Sequence, residues 1–331
     1  MRKQLIDRYG RVARDLRVSL TDKCNLRCQY CMPADGLHWI PKPEILTDDE
    51  VKHLLNLAVD RLGINQIRFT GGEPLLRPGL TSIIADMAER HPTVEMSLTT
   101  NAIGLDKTAP ALVEAGLKRI NVSLDTVDRD TFTKLARRDR LQDTLTGIHA
   151  AAEAGLDPVK INTVLMPDIN DAEAPDLLRF ALHHGYELRF IEQMPLDADG
   201  IWKRDTMITA ADILNRLQQE FDLTPATEPR GSAPAEKWLV NGGPATVGII
   251  GTVTRPFCGD CDRTRLTADG QIRNCLFAQG ETDLRDALRA GHTDDELADI
   301  WAQAMWGKAA GAGIDDPSFL KPARPMSAIG G

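Results

Sequence analysis

The sequence has no apolar run long enough to cross a membrane, and its first residues, MRKQLID, hold no apolar core of the kind a secretory signal needs. A cytoplasmic protein without membrane contact is therefore expected. A cationic excess is missing too. The 39 Lys and Arg are outnumbered by 48 Asp and Glu, leaving a formal net charge of −9. That excludes a general nucleic-acid binder, whose affinity for phosphate backbones rests on a basic surface. It leaves room for a small anionic ligand in a locally basic pocket. Low-complexity tracts are absent, as is any repeat beyond alternating strand and helix. Cysteine is scarce, six in 331 residues, and falls into two triplets, neither with a fourth cysteine. In a long chain without a secretion signal, that grouping points to metal ligation and away from a disulfide scaffold.

The first triplet is Cys24-Asn25-Leu26-Arg27-Cys28-Gln29-Tyr30-Cys31, spaced C-x3-C-x2-C after a short apolar strand at 16–20. Thiolates this close on one loop can close around a soft metal centre, zinc or an iron–sulfur cluster. Three ligands are one short of a closed structural site of either kind. A cubane cluster held by three thiolates keeps one iron open, and a [4Fe–4S] site is the favoured reading. Zinc, or a disulfide with a spare thiol, is the alternative. After the second strand comes Thr70-Gly71-Gly72-Glu73-Pro74-Leu75. Glycines there let a ligand approach the backbone, and a carboxylate can accept from an ammonium group. A tight strand-to-helix turn is the simpler reading of the glycines alone.

Together the cysteine loop, with its aromatic before the third cysteine, and the Gly-Gly-Glu turn resemble the radical S-adenosylmethionine (SAM) enzymes. In that family the open iron chelates SAM, which the reduced cluster cleaves to a 5′-deoxyadenosyl radical that takes hydrogen from substrate.

From residue 14 to about 192, strand and helix alternate. The pattern predicts strands over 15–20, 67–70, 94–99, 119–124, 159–165 and 187–191. It predicts helices over 48–62, 80–90, 109–115, 141–154 and 171–184, several stopped by glycine at 63, 116, 155 and 185. Such units build parallel strands with helices outside. On each strand one parity is apolar (Leu16, Val18; Ile67, Phe69) and the other polar (Arg17, Ser19; Arg68, Thr70). A doubly wound sheet would read apolar on both faces, and a closed barrel packs its interior with branched apolar residues. The fold class expected is α/β: an incomplete (β/α)6 TIM-like barrel with a polar concave side. A smaller C-terminal α+β region follows, with a helix over 210–221, a linker over 223–235, two hairpins about residues 241–243 and 268–270, two further helices and an irregular end from 311.

The second triplet, Cys258, Cys261 and Cys275, is spaced C-x2-C-x13-C across the second hairpin. Zinc and a cluster remain equally open on spacing; a closed zinc site would enlist Asp260, Asp262 or His292. Arg263 and Arg265 point to one side of a strand. They read as a fork for phosphate, or as charge protecting a sheet edge. Arg17, Arg68 and Lys160 share the inward parity, and so many inward cations in an acidic chain imply a polyanionic substrate.

The segment from Pro256 to Gly270, with Cys275-Leu276-Phe277 and the terminal Gly330-Gly331, resembles the GTP 3′,8-cyclases (MoaA family) of molybdenum cofactor biosynthesis. The resemblance runs from about residue 11 to the end. It implies a radical SAM lyase that converts GTP to (8S)-3′,8-cyclo-7,8-dihydroguanosine 5′-triphosphate. Two [4Fe–4S] clusters and SAM would be its cofactors, on Cys24, Cys28 and Cys31 and on Cys258, Cys261 and Cys275. Tyr30, Gly72, Glu73, Ser123 and Met194 would meet SAM. Arg17, Arg68, Thr99, Lys160, Arg263, Thr264 and Arg265 would meet GTP, and Gly330 and Gly331 would reach into the site, a disordered tail being the alternative. No side chain needs to serve as general base or nucleophile. The resemblance further implies a one-electron donor, a homodimer, and cyclic pyranopterin monophosphate synthase (MoaC) acting next. It divides the chain into a radical SAM partial barrel, 1–222, and an auxiliary-cluster and GTP-binding region, 223–331.

Overall fold

The structure is a computed structural model that describes residues 3–330, except 315, 317 and 318. Its strands are β1 Asp15–Ser19, β2 Gln66–Thr70, β3 Glu95–Thr100, β4 Arg119–Ser123, β5 Val159–Val164, β6 Glu187–Ile191, β7 Leu223–Pro225, β8 Glu236–Val240, β9 Thr246–Ile250, β10 Arg263–Leu266, β11 Gln271–Arg273 and β12 Thr282–Asp283. Its helices are α1 Asp48–Leu62, α2 Leu80–Arg90, α3 Leu105–Glu114, α4 Arg129–Ala136, α5 Leu141–Glu153, α6 Ala174–His184, α7 Ala210–Leu217, α8 Arg285–Arg289, α9 Asp294–Trp306 and α10 Met326–Ile329. The local signals are strong where expected. Thr47 and Glu50 form a capping box on α1, and Gly63 ends it with φ +76°, a conformation open to glycine.

All the strands belong to one sheet, in the order β12-β11-β10-β1-β2-β3-β4-β5-β6-β9-β8-β7. The six expected strands run parallel in sequence order. Two more extend them: β10 lies parallel to β1, and β9 parallel to β6. The barrel is open, as expected, and the topology supplies a reason. The outer edge of β9 is taken by antiparallel β8 and that of β10 by antiparallel β11. Neither end of the parallel run is then free to pair with the other. No helix is long and apolar enough to cross a membrane among the described residues.

Three local expectations need correction. The stretch 223–235 is not all linker, because Leu223–Pro225 pairs with β8. Helix α4 has no counterpart in the periodicity reading; Asp128 caps it by accepting from Thr131 N. The C-terminal stretch contains the short helix α10.

Strand parity holds for the helix-facing side, while the inward side also carries apolar Val164 and Ile191 at the ends of β5 and β6. Leu16, Val18, Ile67, Phe69, Leu98, Ile120, Val122, Ile161, Leu188 and Phe190 are buried against the helices in one continuous core. Phe69 is fully buried. Phe69→Ala should therefore cost about 3–5 kcal/mol of stability, measured by denaturant unfolding; a loss below about 1 kcal/mol would contradict this packing.

Candidate active site

The first triplet sits at the carboxyl ends of β1 to β3. Cys24, Cys28 and Cys31 line one end of an internal cavity together with Gly71, Gly72, Glu73 and Asn101. The glycines are required by contact between loops. Gly72 N donates to Thr21 O and Glu73 N to Lys23 O, both at 2.7 Å. A Cβ on Gly71 would lie 2.5 Å from Thr21 O, and one on Gly72 2.3 Å from Lys23 O. Arg27 folds back over the cysteine loop, donating to the carbonyls of Cys24 and Leu26 at 2.7 and 2.8 Å.

Glu73 is buried and accepts from Thr100 Oγ1 (2.7 Å), Asn101 N (2.8 Å) and Leu75 N (3.0 Å). Burial raises its carboxyl to about 7 despite those donors. Asp125, which accepts from the Tyr30 hydroxyl at 2.7 Å, is raised by burial to about 6. Burial also pushes the thiols up, Cys24 to about 11 and Cys31 to about 12.

The cavity continues into a second one, whose walls share Tyr30, Thr99, Ser123, Asp125 and Met326 with the first. At its far end stand Cys258, Cys261 and Cys275. Burial raises Cys258. Cys261 is opposed by burial too, yet the neighbouring Lys308 and Arg263 hold it below the ordinary thiol value. The histidine considered as a zinc ligand is elsewhere: His292 Nδ1 lies 2.9 Å from Ala287 O on an exposed turn.

Both triplets fit a cluster in donor chemistry, each offering soft thiol ligands alone around open space. Among the described residues no three Cys, His, Asp or Glu side chains come close enough to share one metal ion. A cluster does not ask this of its ligands, which bind separate irons.

Between the triplets the wall is cationic. Strand register sets Arg265, Arg17 and Arg68 side by side on three adjacent strands, with Arg263 beside Asp15 one row away. Arg189 joins them from β6. Burial, then like charge, lowers Arg17 and Arg68 to about 9 and about 10; burial lowers Arg265 to about 9 and Arg189 to about 10. Asp15 is their buried carboxylate neighbour. Burial alone would raise it, and the surrounding guanidiniums outweigh that and lower it. Arg17 Nε and Arg189 Nε are buried without a hydrogen-bond partner. A polyanion would fit these groups.

Most sequence-predicted residues meet here: all six cysteines, Tyr30, Gly72, Glu73, Ser123, Met194, Arg17, Arg68, Thr99, Arg263 and Arg265 line the joined cavities. Two do not present their side chains. Lys160 is held by Glu187 at 2.6 Å outside the lining. The Thr264 hydroxyl accepts from Trp301 Nε1 at 3.0 Å on the helix side of β10. Gly330 is buried, its carbonyl accepting from Arg265 Nη1 at 3.0 Å; Gly331 lies outside the described residues. Arg189, Asn101, Asn162 and Asp125 also line the cavities and were not picked out. Parity had placed Arg189 and Asn162 inward, whereas Asn101 and Asp125 lie just beyond strand ends, where alternation carries no signal.

Residues 18–181 match the Radical SAM superfamily, and residues 186–314 match Molybdenum Cofactor Synthesis C. A GTP 3′,8-cyclase of Streptomyces coelicolor is 65% identical over 99% of this chain and 96% of its own length. Those of Mycobacterium sp. (strain KMS) and Corynebacterium glutamicum (strain R) are each 58% identical over 99% of this chain, covering 93% and 89% of their own lengths. The chain belongs to the GTP 3′,8-cyclase family. Among solved structures, Streptococcus suis SuiB bound to S-adenosylmethionine aligns with TM-score 0.62 at 16% identity, covering 90% of this chain and 68% of its own. That likeness concerns the fold. Membership of the radical SAM superfamily makes the chain an enzyme that uses SAM and an iron–sulfur cluster.

Among the residues lining these cavities, Glu73 gives a test with a definite sign. A carboxyl carried from 4.5 to about 7 binds protons more tightly folded than unfolded. Folding stability of the metal-free chain should therefore fall as pH rises from about 4.5 to about 7, by roughly 3 kcal/mol from this group. Glu73→Gln should flatten that slope in urea titrations; an unchanged slope would contradict the burial argument.

Proposed function

We propose that this chain converts GTP to (8S)-3′,8-cyclo-7,8-dihydroguanosine 5′-triphosphate, the first step of molybdenum cofactor biosynthesis, and that two [4Fe–4S] clusters serve it. The observation that carries this reading is the set of guanidiniums lying between two thiol triplets on one continuous cavity. Cys24, Cys28 and Cys31 would hold the first cluster and Cys258, Cys261 and Cys275 the second. When bound, the first cluster supplies the electron that cleaves SAM and so starts the radical chemistry.

The chain's own residues bind, orient and exclude water. Gly72 leaves backbone bare at the cluster loop. Glu73 holds Leu75, Thr100 and Asn101 in register there, a role that fits a contact with the amino end of SAM. Tyr30, braced by Asp125, with Ser123 and Met194, would complete the SAM wall. Arg17, Arg68, Arg263 and Arg265, with Thr99 and the Thr264 backbone, would take GTP, and Lys160, on β5's inward parity and paired with Glu187, would add charge to the same field. Gly330, held by Arg265, supports the reading that the terminal glycines would reach the substrate.

The division at 222/223 is proposed as one of labour, since β9 and β10 join the barrel sheet. The first part would serve SAM and give Arg17, Arg68 and Thr99 to GTP, and the second would serve the auxiliary cluster and the rest of the GTP wall. A cytoplasmic homodimer, a one-electron donor and onward passage of product to cyclic pyranopterin monophosphate synthase (MoaC) belong to the same proposal.

Two variants test it in anaerobically loaded enzyme. Cys24→Ser should abolish SAM cleavage; full cleavage would overturn the assignment. Arg265→Ala should weaken GTP binding roughly 10- to 100-fold, the range for a lost charge-assisted bond, and leave the SAM cluster's iron in place. Unchanged GTP affinity would contradict the phosphate role.

A further inference from the structure

Lys308 follows the end of α9 and is 3% exposed. Its ammonium has three donors, and all three find acceptors: Arg263 O at 2.9 Å, Cys261 O at 3.1 Å and Cys261 Sγ at 3.3 Å. Among the described residues no carboxylate forms an ion pair with it. A buried ammonium is retained where an anion compensates it, and the group it touches that can carry negative charge is the Cys261 sulfur. Arg263 Nη1 reaches the same sulfur at 3.4 Å.

The placement is built in. Trp301 on α9 donates to Thr264 on β10 at 3.0 Å, and Asn274, next to Cys275, donates to Ala304 O at 2.8 Å. These ties fix the end of α9 against the second triplet. The first triplet has no counterpart: Cys24 Sγ accepts from Leu26 N at 3.5 Å. Within that triplet Arg27 reaches only the Cys24 carbonyl, and among the described residues no Lys or Arg side chain donates to the sulfur of Cys24, Cys28 or Cys31.

We propose that Lys308 is a positioning residue of the second cluster, the buried counter-charge that steadies Cys261 as a ligand and sets that cluster's reduction potential above the value its thiolates alone would give. Hydrogen bonds and charge at ligand sulfurs are established levers on cluster potential. The inference rests on the two-cluster reading above.

The experiment is a potentiometric titration of anaerobically loaded wild type, Lys308→Met and Lys308→Arg, followed by electron paramagnetic resonance. Lys308→Met should shift the second cluster's midpoint downward, or lose that cluster outright. Lys308→Arg, which keeps charge and donors, should load and titrate between the other two. The first cluster's signal should not move, which also reports correct folding. Midpoints unchanged in Lys308→Met, or both clusters shifting together, would overturn the proposal. A wild-type preparation with one cluster signal would instead remove the reading beneath it.

Discussion

The arrangement depends on cations forced together inside the barrel. Arg265, Arg17 and Arg68 occupy neighbouring positions on adjacent strands, where like charges repel. The nearby Asp15 balances only part of that charge. Burial lowers their proton affinity, yet at about 9 to 10 all remain charged at neutral pH. A folded chain keeps such a set when something binds it. Nitrogen atoms left without partners at Arg17 and Arg189 give the same answer in terms of hydrogen bonds. The acidic net charge of the whole chain then sharpens selectivity, because anions find few other places to settle.

Geometry makes the chamber two-ended. Strand β1 carries the polypeptide into the first cysteine triplet, and β10 beside it begins just after Cys261. The C-terminal region thus extends the barrel's own sheet and brings its cysteines to the same cavity. The antiparallel partners of β9 and β10 keep the sheet open, leaving width for a cofactor and a substrate together. Gly330 reaches the wall because it has no side chain; a Cβ there would lie 2.7 Å from Ser19 Cβ.

Much of this was legible in the sequence, for physical reasons. Alternation of period two assigned Leu16 and Phe69 to the core and Arg17 and Arg68 to the chamber, since parity survives any packing of the helices. Helix α1 was legible to the residue because its capping box and glycine stop are local signals, and α2 because its apolar spacing, Leu80, Ile83, Ile84 and Met87, is local too. Register was not local: nothing in the sequence says that Arg263 and Arg265 lie beside β1, or that β9 pairs with β6. For the same reason Lys160, inward by parity, was not seen to be held by Glu187 on the next strand. Thr264, within the motif, faces helix α9 because it alternates with the two arginines.

The inner guanidiniums should bind a polyanion. The direct measurement is equilibrium binding of GTP, GDP and guanosine to the loaded enzyme at low and high salt. Affinity should fall from GTP to GDP to guanosine, and the preference for GTP should shrink as salt rises. Guanosine binding as tightly as GTP, with no salt dependence, would contradict it.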